Sequence, residues 1–319
     1  MDNRLRMVEA GACSAWPLPG DPTCAGVARR MFASAAAGLA LEPAVVDDGV
    51  TMVSELAANT LHVHRDHPGD RDQRDQRDQG RTTPELWLYL RGSGYRRELV
   101  CKVFDTFPGW VHGNVPGRGL LRAPADAMSG RGLEVVHELS RGRWGHHLTR
   151  SRLAGWEVRG KAVWFAVPAA AAAAAAMPSP HAPHAPHAPR GSARDPDRYA
   201  TMAAGQAMTA LEDGLAARGF GGRMVRADDQ RADMAVLSVC SGVTVWCRAG
   251  VAWLRAPGLT GQQWTYDDLV EVAEQTVQAY ATLAAKAEAE AEAEAEAERD
   301  SGANHPLAGA ARTGSLVRA

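Results

Sequence analysis

Glu55 and Asn59 stand four residues apart in Ser54-Glu55-Leu56-Ala57-Ala58-Asn59, and a helix stacks such a pair on one face. A carboxylate and an amide would then both face a cleft. Further on, Val103-Phe104-Asp105-Thr106-Phe107-Pro108-Gly109 ends an apolar strand in an acidic residue and then turns. An aspartate at a strand's end often just caps a turn. Ser129-Gly130-Arg131-Gly132-Leu133 opens an amphipathic segment. Closely spaced glycines at a helix N-terminus let backbone N–H groups approach phosphate oxygens, and the helix dipole favours the negative charge. Gly160-Lys161-Ala162-Val163-Trp164-Phe165 supplies a closing strand. Taken singly, each pattern is also what a solvated helix face or an ordinary turn looks like.

The elements that must position these residues are legible in the surrounding pattern. A helix is expected over Cys24–Leu39 and a longer one over Glu42–Val63, with Pro43 in its first turn. Val46, Val50, Val53 and Ala57 form the buried stripe of the longer helix, with Glu55 and Asn59 roughly opposite. Strand-like runs follow at Glu85–Leu90, Glu98–Phe104, Trp144–Leu148 and Ala162–Val167, with a helix at Leu133–Ser140. This order suggests an α/β sandwich with helices on one face of a sheet. A second block is expected to be a small α+β unit, with a helix over Pro196–Arg218, strands at Met234–Val239, Val243–Arg248 and Val251–Arg255, and a helix over Tyr266–Leu283. It holds no catalytic constellation, and a partner-binding or dimerisation module is its default role.

The order of the four motifs resembles the N, G1, G2 and G3 boxes of the histidine-kinase-like (GHKL) ATPase superfamily. Ser54–Asn59 and Ser-Gly-Arg-Gly-Leu followed by Val135-Val136-His137-Glu138-Leu139 resemble most closely the actinobacterial anti-sigma regulatory serine/threonine kinases, over residues 20–168. The resemblance implies a Bergerat-type ATPase fold that binds ATP and Mg²⁺. It makes Glu55 the catalytic base, Asn59 the metal ligand, and Asp105, Gly109, Gly130, Arg131, Gly132 and Leu133 the nucleotide-binding set, with Asp105 accepting from the adenine amino group. The implied partners are an anti-anti-sigma factor, whose serine is phosphorylated, and a sigma factor. The alternative is an inactive, nucleotide-dependent module that regulates a partner by sequestration. Two departures stand out. The G1 box reads Asp-Thr-Phe-Pro-Gly, without a second glycine, and Ala162 lacks the hydroxyl with which a threonine could support Asp105, so reduced ATP affinity is expected.

Composition narrows the remaining classes. A net charge of −2 provides no field to hold nucleic acid, so no direct nucleic-acid partner is expected. The five cysteines show no CxxC spacing, which argues against a disulfide framework or zinc site and, with no apolar run of spanning length, for a cytoplasmic protein without a membrane partner. Low-complexity segments set the expected boundaries: a disordered 1–19, the ATPase domain 20–168, an Ala/His-Pro-rich linker 169–194, the α+β domain 195–285, and an Ala/Glu-rich and disordered tail 286–319. His181, His184 and His187 read as spacer rather than metal site, His146 and His147 as neighbours on opposite strand faces, the tryptophans as packing, and Asp228, Asp229 and Asp233 as a solvated loop. Homodimerisation is left open.

Overall fold

The computed structural model describes residues 11–66, 83–107, 131–154, 157–169, 202–259 and 262–303. The chain is mixed α/β, and among the described residues it has two five-stranded antiparallel sheets and five α-helices. It falls into two compact units, Met1–Ala281 and Thr282–Ala319, so the two foldable blocks expected from sequence pack as one unit.

The first sheet has the order β1-β2-β3-β5-β4, with β1 Cys13–Pro17, β2 Glu85–Arg91, β3 Glu98–Asp105, β4 Trp144–Arg150 and β5 Arg159–Pro168. One face carries α1 Cys24–Gly38, α2 Pro43–Asp66 and α3 Gly132–Ser140. Alternation along the strands sends Leu99, Cys101 and Val103 of β3, and Val163, Phe165 and Val167 of β5, toward these helices. α1 meets them with Cys24, Ala28, Phe32 and Ala36, spaced by four. α2 contributes Met52, Val53, Leu56 and Ala57, all essentially buried, with Val46 and Val50 at the margin.

The second sheet has the order β10-β9-β8-β7-β6, built from β6 Val225–Asp229, β7 Met234–Cys240, β8 Val243–Arg248, β9 Val251–Arg255 and β10 Gln263–Thr265. α4 Ala204–Leu215 packs on β7 and β8, and α5 runs over Leu269–Ala303.

Three sequence expectations are corrected. The segment 1–19 is not wholly without structure, because Cys13–Pro17 is an edge strand paired antiparallel with β2. Asp228 and Asp229 lie on edge strand β6 rather than in a loop; outward charges on an edge strand discourage further pairing. The Ala/Glu stretch assigned to the tail is helical through Ala303, since Ala and Glu are strong helix formers even without an apolar face. The linker histidines lie outside the described residues.

The back face of the first sheet is also buried. Trp87 stacks on Phe104 with ring centroids 5.5 Å apart, and Val270 of α5 packs on Tyr89, Val100 and Ala166. Polar contacts dominate the rest of this junction. The Tyr89 hydroxyl donates to Glu271, and the Gly92 amide donates to Asp268. Glu274, fully buried, receives Lys102 Nζ at 3.3 Å and Arg152 Nη2 at 2.6 Å, with Arg218 Nε at 3.5 Å. Burial alone raises the Glu274 carboxyl, but Arg218, Arg152 and Lys102 outweigh it and hold it well below the ordinary value. His147 beside Lys102 is pushed down to about 3, by burial first and by the Lys102 charge second.

Candidate functional site

α2 passes across β3 and β5 and also packs on α3. Its buried side is fixed by Val53, Leu56, Ala57 and Thr60, which leaves Ser54, Glu55, Ala58 and Asn59 half-buried on the flank. The Arg29 guanidinium donates to Ser54 Oγ at 2.8 Å and ties this flank to α1. The N-terminus of α3 meets the same flank: a Cβ added at Gly132 would lie 2.8 Å from Glu55 Oε2 and 3.5 Å from Asn59 Nδ2. Glu55, Asn59 and Gly132, read from two separate stretches of sequence, therefore adjoin one another. Any side chain at position 132 would press on the Glu55 carboxylate.

Arg131 is the N-cap of α3, so its position suits a residue flanking a helix N-terminus. Leu133 packs against the helix-side core with Leu139, and Val136 is fully buried beneath them. That packing fixes the azimuth of α3 and turns Gly132 toward α2. Gly109 and Gly130 lie outside the described residues.

Asp105 ends β3 on the helix side of the sheet. It is opposite Lys161 of β5 in register, and the two side chains form a buried ion pair with Lys161 Nζ 2.9 Å from Asp105 Oδ1. The Phe107 amide donates to the same oxygen at 2.9 Å, while Lys161 Nζ also donates to the Phe107 carbonyl at 2.8 Å. The ammonium lies 5.3 Å from the Phe107 ring centroid, within cation–π range. Gly160 permits the close approach of the two strands here, because a Cβ on it would collide with the Asp105 backbone carbonyl.

The register changes the reading of Ala162. Ala162 is opposite Phe104 and packs with Trp87 on the back face, so a threonine hydroxyl at this position would point away from Asp105. Lys161 is a residue that does support Asp105. The signal for it was present in the sequence as opposite charges at two strand ends, but only the strand register reveals that they face each other.

His146 and His147 fall on opposite faces as alternation requires, with His147 buried and His146 partly exposed. No group of three or more His, Cys, Asp or Glu side chains that could hold a metal ion occurs among the described residues. A cation at Asn59 would draw its other oxygen ligands from water and a bound phosphate chain, which suits Mg²⁺. Among the described residues, no helix is long and apolar enough to cross a membrane. No protein-family model matches the chain, and no curated protein matches it.

Proposed function

We propose that the first block binds Mg-ATP as a Bergerat-type ATPase domain and acts as a serine/threonine kinase of the anti-sigma regulatory type. The observation that carries this reading is the meeting of Glu55 and Asn59 with Gly132 at the N-terminus of α3. A carboxylate, a side-chain amide and a helix N-terminus stand together, while Asp105 ends a strand of the sheet on which the same helices pack.

The residues suit the ligand. Gly132 begins α3 at a positive helix end, where backbone N–H groups receive phosphate oxygens. Asn59 offers one oxygen to Mg²⁺, and Asp105 accepts from the adenine amino group. Bound Mg-ATP supplies the transferable phosphoryl group and neutralises part of its charge. Glu55 takes the proton from the attacking serine hydroxyl of the partner, its carboxylate held on the half-buried flank of α2 by the packing of Leu56 and Ala57 below. Phosphorylation adds roughly two negative charges to the partner's serine, enough to disrupt a docking surface. The partner is an anti-anti-sigma factor in this reading, and a sigma factor is held in the alternative state.

The test is a thermal melt of the full chain with and without Mg-ATP. A ligand at about 100 times its Kd adds about 2.7 kcal/mol of stability. A clear upward shift that Asn59→Ala reduces supports the site. An unchanged melting temperature at millimolar Mg-ATP removes the nucleotide reading altogether.

A further inference from the structure

Lys161 has no role in the motif reading, yet it is as deeply buried as Asp105 and pairs with it. Three constraints fix its ammonium: the cross-strand register, the tight strand approach at Gly160, and the second bond to the Phe107 carbonyl. Asp105 Oδ1 in turn receives two donors, Lys161 Nζ and the Phe107 amide. Two donors on one oxygen set the plane of the carboxylate.

We infer that Lys161 is the positioning residue that aligns Asp105 for recognition of an amino-bearing purine. This inference rests on the nucleotide reading of the same site. The exocyclic amino group of adenine donates to a carboxylate, whereas a 6-oxo purine turns an oxygen toward it and meets repulsion. That discrimination requires Asp105 to stay charged and correctly turned. A buried carboxylate without its ammonium loses both conditions, because an uncompensated buried charge is costly. Lys161 thus sets base selectivity without touching the base.

The measurement is titration calorimetry of the full chain with Mg-ADP and with Mg-IDP, which share sugar and phosphates and differ only in the base. The wild-type chain is expected to prefer ADP by at least tenfold, on the order expected for one hydrogen bond to a charged group. Lys161→Met should weaken ADP about tenfold while leaving IDP almost unchanged. Lys161→Arg, which keeps a charged donor, should retain the preference for ADP. In an Asp105→Asn background, Lys161→Met should not change the ADP/IDP ratio further, as expected for two residues acting as one unit.

Full ADP preference in Lys161→Met overturns the role of Lys161 and leaves the nucleotide site standing. Equal weakening of both nucleotides in the Met and Arg variants also overturns it, since that pattern marks a packing role alone. A wild-type chain that binds neither nucleotide overturns the nucleotide reading and, with it, this inference.

Discussion

Two glycines at the site should respond to the same substitution in opposite ways. At Gly132 the added methyl group meets the far end of a flexible side chain, Glu55 Oε2. Gly132→Ala should therefore fold with a stability change within about 1 kcal/mol, since Ala is also a better helix former, but it should displace Glu55 and abolish phosphoryl transfer. At Gly160 the obstacle is the Asp105 backbone, which cannot rotate away. Gly160→Ala should cost about 1–3 kcal/mol or more, visible in chemical denaturation before any ligand is added. Glu55→Ala should stop transfer while nucleotide-induced stabilisation persists; transfer at wild-type rate in this variant would remove Glu55 from the mechanism. Glu55, Asn59 and Gly132 were singled out only by the order of the motifs, since none of these residue types says much by itself; their adjacency is a product of how α2 and α3 pack. Lys161 was not singled out, because a lysine in a strand reveals its partner only through pairing register.

Long, periodic elements were the easiest to read. The stripe of Val46, Val50, Val53 and Ala57 placed α2 to within a few residues, and the runs of β7, β8 and β9 alternate cleanly between buried and half-buried positions. β1 and β6 were illegible for opposite reasons: one is short and ends at Pro17, and the other carries Arg226, Asp228 and Asp229 on an exposed edge. The face of α5 that docks on the first sheet was hidden too, because Glu271 and Glu274 stand where a helix is expected to be apolar. Removing one partner of a buried pair leaves the others uncompensated, so Glu274→Ala should cost about 3–5 kcal/mol, measured by urea denaturation. The same junction should make stability fall with acid. An unfolded His147 takes up a proton near the ordinary 6.5, whereas the folded residue resists until about 3, so between these values the unfolded state binds more protons. Stability from this group is complete above 6.5 and declines as pH drops toward 3, by up to about 1.4 kcal/mol per pH unit. His147→Gln should flatten that slope in denaturation curves taken between pH 6.5 and 5.

At the scale of the whole chain, the two blocks divided by the low-complexity stretch behave as one unit rather than as beads on a flexible tether. A fragment ending at Pro168 would uncover Trp87, Tyr89 and the Lys102 ammonium, which Arg218, Glu271 and Glu274 contact in the complete chain. Such a fragment should bind hydrophobic dyes, lose several kcal/mol of stability and associate at micromolar concentration. A monodisperse fragment with the melting temperature of the full chain would mean that α5 adds little to the first sheet.

The hydrogen bond from Tyr89 to Glu271 bridges 182 residues, and this separation bears on how the protein is born. At roughly 5–20 residues per second of synthesis, the strand waits on the order of 10–40 s on the ribosome before its cover emerges. During that interval the nascent sheet presents a bare aromatic face, a natural client surface for a chaperone. Contacts this distant in sequence also slow spontaneous closure. Refolding from denaturant should therefore show helix signal returning early and the Trp87 fluorescence environment returning late.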